Sequence, residues 1–152
     1  VGDLQVAAIV AVNACGNVVD YETNELLAGV YDSHSGSVLK AQDVLFQQMD
    51  ALRKLPEGNT TIGCFVTNAK LDKAQCTKIA GIAHNGYARA IHPVHTMSDG
   101  DSIFVLSSGE VEVMADAVGM LATEMMAKAI KRAVLHAESA YGLPAHSDVI
   151  CK

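Results

Sequence analysis

The sequence has few of the residues that mark several common protein classes. It has no tryptophan, 5% aromatic residues and three prolines among its 152 residues. It has 11 lysines and arginines against 17 acidic residues and no basic cluster, which argues against a nucleic-acid-binding surface. No uncharged apolar run reaches the roughly 18 to 20 residues that a membrane-spanning helix needs. We therefore expect neither nucleic acid nor a membrane as a partner.

Closely spaced metal or redox ligands are also missing. The four cysteines are too far apart in the sequence for a zinc knuckle or a redox pair. Their positions are Cys15, Cys64, Cys76 and Cys151. They are typical of reduced thiols that act as small apolar side chains, so we expect a cytoplasmic protein. His92 and His95 lie on a proline-containing loop with no third ligand in sight. We expect no metal and no cofactor.

The chain is instead rich in small apolar residues. Hydrophobic residues make up 50% of it, with six methionines, which excludes intrinsic disorder. The length suits one domain, but this much small apolar surface predicts burial against another chain or segment. The start, Val1-Gly2-Asp3, has no basic region, cleavage site or initiating methionine. We interpret it as the start of a trimmed or processed piece.

Apolar runs and helical spacing together predict a layered α/β arrangement. Strands are predicted over 5–14, 60–67 and 102–107, with a hairpin whose arms are 18–21 and 26–31. Helices are predicted over 41–54, 72–91 and 111–139. Asp72 is the predicted N-cap of the second helix, and 92–101 is a predicted loop.

Thr60 and Thr61 lie where the breaker-rich segment 56–59 enters a strand. A threonine hydroxyl is a weak nucleophile unless a base lies beside it. When threonine is the first residue of a chain, its own α-amine can be that base, with a reference pKa of about 7.7 to 8.0. The same pattern is also that of an ordinary loop entering a strand, because threonine is common in strands.

Three other polar residues are candidates for chemistry. Asp99 and Asp101 flank Gly100 and could hold a hydroxyl, an amine or a metal. Alternatively they form a turn in which the aspartates bond the local backbone. Asn13 ends the first predicted strand and could offer its amide to a developing oxyanion, or it is a turn former.

A set of motifs, taken in order, resembles one family. They are the segments 4–14, 59–63, 66–69, 83–86, 88–91 and 93–101. Together they resemble the DmpA-like family of self-processing hydrolases, which includes L-aminopeptidase/D-amidase/D-esterases, β-aminopeptidases and the 6-aminohexanoate-oligomer (nylon oligomer) hydrolase. The resemblance covers essentially the whole chain. The Asp-Gly-Asp sequence is nearest the nylon-oligomer branch, whose nucleophile is threonine.

The resemblance implies an amide or peptide hydrolase, an aminopeptidase or oligoamide hydrolase, that cleaves itself between Asn59 and Thr60. Residues 1–59 would be the C-terminal part of an α-subunit, and residues 60–152 a β-subunit that begins with the nucleophile. Asp99 and Asp101 would orient and tune Thr60, and Asn13 would help bind the oxyanion. The implied fold is part of an αββα sandwich like that of N-terminal-nucleophile hydrolases.

The resemblance also implies partners. The N-terminal half of the precursor would contribute further site residues, including a tyrosine and, in the nylon-oligomer branch, a lysine. The substrate would be a small peptide or amide, and the assembly a homo-oligomer of processed heterodimers. Two other functions stay open. One is an uncleaved, inactive assembly domain, and the other is an acyltransferase like the ornithine acetyltransferases, which have a related fold.

Overall fold

A computed structural model of the chain describes residues 2–47 and 58–149, which form a mixed α/β structure. The strands are β1 (Val6–Asn13), β2 (Asn17–Val19), β3 (Leu26–Ala28), β4 (Val30–Asp32), β5 (Ser37–Leu39), β6 (Thr60–Ala69), β7 (Ile91–His92) and β8 (Ser102–Val111). The helices are α1 (Ala41–Gln47), α2 (Lys73–Ala90), α3 (Ala115–Leu135) and α4 (His146–Val149). The three strands predicted outside the hairpin are confirmed as β1, β6 and β8.

The three long strands form a sheet in the order β1-β6-β8. β1 is antiparallel to β6, from the pair Val6↔Thr67 to the pair Asn13↔Thr60. β8 is parallel to β6, and α2 lies in the connection between these two strands. As a result, the start of β6 lies between the end of β1 and the start of β8.

α2 and α3 pack together and cover one face of this sheet. Asp72 caps α2 as predicted, in a reciprocal capping box with Gln75. The helices approach closely at Gly86, where a Cβ atom would lie 2.4 Å from the Thr123 carbonyl oxygen. Fully buried side chains fill the layer between helices and sheet, among them Phe65, Ile79, Tyr87, Val118, Met126 and Ile130.

The opposite face of the sheet is apolar and uncovered by the described residues. Ile9 on β1 is 73% exposed and Phe104 on β8 is 60% exposed. Ile62, Val66 and Leu106 are exposed on the same sheet. Since side chains alternate along a strand, this sheet has one apolar face under the helices and another facing outward.

The predicted hairpin is confirmed in its first part and wrong in its second. β2 pairs antiparallel with β3, but the second predicted arm divides at Gly29. A Cβ atom on Gly29 would lie 2.6 Å from Asn17 Oδ1 and 2.9 Å from the Leu39 carbonyl oxygen. After Gly29 the chain enters β4, which pairs with β5. β7 adds to the other side of β2.

The helix predicted over 111–139 is too long at both ends. Val111 still belongs to β8, because it pairs with Ala69 and its carbonyl oxygen accepts from Lys70 N. At the other end, Ser139 anchors a loop, since its hydroxyl accepts a hydrogen bond from Ala145 N. These backbone and side-chain bonds leave the helix the bounds Ala115–Leu135.

The helix predicted over 41–54 begins as expected at Ala41 and is described through Gln47. Its remaining predicted residues, 48–54, lie outside the described residues. Among the helices that are described, none has the length and apolar character that crossing a membrane requires.

Candidate active site

The structure brings the four predicted site residues together at the start of β6. Thr60 is the first residue of that strand and pairs with Asn13, the last residue of β1. The preceding residue, Asn59, forms a parallel bridge with Asp99, just ahead of β8. Asp101 reaches the backbone of the residue after Thr60. Their catalytic roles stay predictions.

Two donors meet the carbonyl oxygen of Asn59. The Thr60 hydroxyl donates to it with an Oγ1–O distance of 2.6 Å, and Gly100 N donates from 2.9 Å. A Cβ atom on Gly100 would lie 2.8 Å from Thr60 Oγ1. A glycine at this position therefore lets the loop backbone approach the threonine closely. The peptide before Thr60 has a polarised carbonyl and a hydroxyl beside it.

Asp101 connects the loop before β8 to the start of β6. Its Oδ1 accepts from Thr61 N, and its Oδ2 lies 2.8 Å from His95 Nδ1. The Asp101 side chain is only 4% exposed. A carboxylate accepts hydrogen bonds but does not donate them, so His95 Nδ1 is the donor. Both oxygens of this buried carboxylate are thus satisfied.

Asp99 is bonded within its own loop. Its Oδ2 accepts from the Thr96 backbone N and from Thr96 Oγ1, each at 2.7 Å. Asp99 N donates back to the Thr96 carbonyl oxygen. The turn interpretation thus describes Asp99 well, while Asp101 reaches out of the loop.

Asn13 also faces the segment before Thr60. Its Nδ2 donates to the Gly58 carbonyl oxygen at 3.2 Å. In this uncleaved chain the amide holds the carbonyl of Gly58, one residue before that of Asn59. Gly58 itself has a φ of 118°, which few residues other than glycine adopt.

Three residues that the sequence did not identify as site residues, Tyr87, His84 and His95, pack beside the site. Tyr87 on α2 is fully buried, and its hydroxyl lies within hydrogen-bonding distance of the carbonyl oxygens of Thr61 and Ser102, at 3.4 and 3.3 Å. Burial, and then the nearby Asp101 charge, raise the pKa of Tyr87. The Tyr87 ring stacks on His95, and His84 meets both rings edge-on. Burial, followed by the His95 charge, lowers the pKa of His84.

The sequence held a signal for each of two of these residues. Tyr87 stood on the predicted apolar face of α2, and His95 lay in the motif 93–101. The pairing of their rings depends on how α2 lies against the loop, which no local pattern specifies.

A cleft of about 800 Å³ adjoins the site. Asn13 and Asn59 line it at one end, together with Cys15. Val134 and Tyr141 line it on the side of α3 and the following loop. Burial, and then the Asp99 charge, raise the pKa of the Cys15 thiol.

The two loop histidines do not form a metal site. His95 faces Asp101, while His92 Nε2 lies 3.0 Å from the Ala88 carbonyl oxygen. Across residues 2–47 and 58–149, no three histidine, cysteine or acidic residues are grouped to hold a metal ion.

The fold and the site together define a mixed α/β protein with a threonine at a strand start, whose hydroxyl and a glycine N–H both donate to the preceding carbonyl oxygen. The chain belongs to peptidase family S58, whose family model matches residues 1–147. The resemblance to the DmpA-like family is thereby confirmed.

Two relatives illustrate the similarity. An uncharacterized aminopeptidase of Mycobacterium tuberculosis is 36% identical over 167 residues, covering 95% of this chain and 47% of that protein. A 6-aminohexanoate-oligomer endohydrolase of Paenarthrobacter ureafaciens is 30% identical over 149 residues, covering 87% of this chain and 41% of that protein. The chain thus spans a little under half the length of these curated relatives.

Proposed function

We propose that this chain is the C-terminal part of a self-processing amide hydrolase whose nucleophile is Thr60. The observation that carries the proposal is the pair of donors, Thr60 Oγ1 and Gly100 N, on the carbonyl oxygen of Asn59. The two relatives, named as an uncharacterized aminopeptidase and a 6-aminohexanoate-oligomer endohydrolase, support amide hydrolysis as the reaction class.

In the self-cleavage step, Thr60 Oγ attacks the carbonyl carbon of Asn59. The oxygen of that carbonyl becomes an oxyanion, which the Gly100 N–H already faces. The bond from the Asn59 carbonyl to Thr60 N breaks, and the hydroxyl proton ends on that nitrogen. The ester left between Asn59 and Thr60 Oγ is hydrolysed by water, which gives a carboxylate on Asn59 and restores the Thr60 hydroxyl.

The freed Thr60 then hydrolyses amide substrates. Its new α-amine takes the hydroxyl proton as general base and returns it to the leaving amine as general acid. Asp101 holds the backbone beside this amine, and Asp99 lies on the neighbouring turn. In the uncleaved chain Asn13 binds the Gly58–Asn59 segment. Cleavage releases that segment, so the side-chain amide of Asn13 becomes available for the substrate oxyanion.

The two products of cleavage stay associated in this proposal. Residues 1–59 include β1 and residues 60–152 include β6, and these strands are paired from Val6↔Thr67 to Asn13↔Thr60. That ladder does not depend on the peptide bond between Asn59 and Thr60. The processed protein is then a heterodimer whose subunits share one sheet.

The uncovered face of the sheet supports the αββα sandwich. Ile9, Ile62 and Phe104 present an apolar surface of the kind that a second sheet covers in a sandwich. We assign the second sheet to the N-terminal half of the precursor, in keeping with a match that covers only 47% and 41% of the two longer relatives. Further copies of the heterodimer would assemble around this unit as a homo-oligomer.

A matched pair of substitutions in the full-length protein tests the nucleophile. Thr60→Val keeps the shape of the side chain and removes its hydroxyl, so self-cleavage should fall by more than about 10³-fold. Thr60→Ser keeps a hydroxyl and should still cleave. The fraction cleaved over time is measured on denaturing gels, with fragment masses giving the site. Cleavage that persists in Thr60→Val contradicts the proposal.

Activity assays of the processed protein separate the two remaining reactions. Hydrolysis of amino-acid p-nitroanilides or of 6-aminohexanoate oligomers is expected. Acetyl transfer to glutamate without amide hydrolysis would favour the acyltransferase instead.

A further inference from the structure

The contacts of His95 in the structure differ from what the sequence led us to expect. The sequence offered no metal-ligating role for it, yet its ring contacts both Asp101 in the site and the buried Tyr87. Nδ1 faces Asp101 at 2.8 Å, and the ring stacks on Tyr87 with centroids 6.0 Å apart. His84 meets the same ring with centroids 4.8 Å apart. The ring is therefore fixed by contacts on more than one side.

The hydrogen bonds continue from His95 to the peptide that follows the proposed nucleophile, Thr60. His95 Nδ1 donates to Asp101 Oδ2, and Asp101 Oδ1 accepts from Thr61 N at 2.8 Å. Thr61 N belongs to the peptide that joins Thr60 to Thr61. On the other side of Thr60, Gly100 N holds the Asn59 carbonyl oxygen. The position of Thr60 thus depends on the orientation of the Asp101 carboxylate.

Two neighbouring residues each bond one of the two aspartates. His95 bonds Asp101, and its neighbour Thr96 bonds Asp99. His95 has a φ of 56°, in the left-handed region where asparagine, aspartate and histidine are the usual residues other than glycine. This backbone conformation limits which residues can replace His95 and suggests a matched pair of variants.

We propose that His95 is a positioning residue for the Thr60 reaction, which acts by donating from Nδ1 to Asp101 and so holds the Thr60–Thr61 peptide. This role rests on the proposed function. His95 does not touch the reacting atoms, and its effect passes through Asp101. Any residue that places a donor where Nδ1 lies should serve.

His95→Asn and His95→Asp are equal in size, and both tolerate the left-handed backbone. Asparagine Nδ2 sits at the same number of bonds from Cβ as histidine Nδ1, so it can donate to Asp101. The aspartate variant offers only acceptors and a like charge. In the full-length protein, His95→Asn should cleave itself within about threefold of the wild-type rate, and His95→Asp at least about tenfold more slowly.

A pH profile supplies a readout that a purely structural role would not change. The titratable groups in contact with His95 are His84 and Tyr87 on α2 and Asp101 on its own loop, where Asp99 is bonded to the neighbouring Thr96. They are common to both variants, so the ratio of the two rates isolates the introduced carboxyl. Two adjacent carboxyls tend to share a proton, and a protonated carboxyl can donate. The rate of His95→Asp relative to His95→Asn should therefore rise as the pH falls from about 8 towards 5.

Amide exchange of the peptide that contains Thr61, measured by mass spectrometry on the Thr60→Val background, tests the same contact without cleavage. Faster exchange is expected with His95→Asp than with His95→Asn. His34→Gln, an exposed histidine on the β4–β5 turn, is the control and should match wild type in every measurement. If His95→Asp does not fold, His95→Ala takes its place in the rate and exchange comparisons.

The inference is overturned if wild type cleaves and the variants without a donor cleave as fast as His95→Asn, or if His95→Asn is as slow as they are. It is also overturned if exchange at Thr61 does not differ between the variants. A wild-type protein that stays intact, with the expected difference in exchange, contradicts the proposed function and leaves His95 as the residue that holds Asp101.

Discussion

The start and the middle of β6 are held in different ways. At its start, the backbone around Thr60 is bonded from the end of β1, from Gly100 and from Asp101. A few residues further on, Phe65 is fully buried under the helices and is held by packing. The strand therefore joins a polar site to an apolar core. Substitutions at the start should affect chemistry, and those in the middle should affect stability.

The largest expected effect is on stability, from Phe65→Ala. Removing a fully buried phenylalanine side chain should lower the free energy of unfolding by about 3 to 5 kcal/mol. Self-cleavage of the molecules that remain folded should change by less than about threefold. Chemical denaturation and gel-based cleavage rates measure the two quantities.

Glu112→Gln is the control for that change. It breaks an ion pair with Lys70 in which both side chains are largely exposed, so the free energy of unfolding should change by at most about 1 kcal/mol. A cleavage rate that falls in proportion to stability across these variants would remove the distinction between the start and the middle of β6.

Gly100→Ala should act on chemistry at the start of the strand. Its Cβ would lie 2.8 Å from Thr60 Oγ1, so the hydroxyl or the loop has to move. Moving the hydroxyl or the Gly100 N–H away from the Asn59 carbonyl should slow self-cleavage by about 10²-fold. Cleavage rates at a fixed pH measure the effect.

Gly81→Ala is the matched glycine control. It lies in α2 with open space around the added Cβ, so it should leave cleavage unchanged and raise stability by about 0.5 to 1 kcal/mol. Equal cleavage rates in Gly100→Ala and in wild type would show that the close approach at Gly100 does not matter.

The smallest expected effect is at Thr61, next to the proposed nucleophile. Its side chain is fully buried, and its hydroxyl has no hydrogen-bond partner among the described residues. Thr61→Val should raise the free energy of unfolding by roughly 1 kcal/mol, because it removes an unsatisfied buried hydroxyl. Self-cleavage should persist, because the backbone N–H of residue 61 still reaches Asp101.

Thr67→Val is its counterpart on the same face of β6. The Thr67 hydroxyl donates to the Gln5 carbonyl oxygen and accepts from Ala69 N, so the substitution should cost about 1 to 3 kcal/mol. Thermal or chemical unfolding compares the two variants. A loss of stability in Thr61→Val as large as that in Thr67→Val would contradict the assignment of an unsatisfied hydroxyl.

Local patterns in the sequence predicted much of the fold. The apolar runs predicted β1, β6 and β8, and the Asp72 cap predicted the start of α2. Patterns failed where pairing between distant residues decides the structure. Val111 continues β8 because Lys70 bonds to it, and Gly29 divides a predicted arm because Asn17 and Leu39 lie against it.

In the candidate site, too, the motifs predicted some features and others depend on contacts between distant residues. The motifs identified Thr60, Asn13, Asp99 and Asp101, and the structure brings them together. The sequence could not tell how the two aspartates differ, because Asp99 bonds within its turn while Asp101 reaches a residue 40 positions away. Apart from the motifs, residue patterns could not show that the Thr61 side chain is buried and that of Thr60 is not, since the direction of each follows from the pairing of β6 with its neighbours.

Determining the chain termini of the purified full-length protein tests the central claim most directly. N-terminal sequencing and intact mass should give two chains, one ending at Asn59 and one beginning at Thr60. Both should be lost in Thr60→Val, with a single chain in their place. A wild-type protein that remains one intact chain under native conditions, or a new terminus at any other residue, would contradict the account.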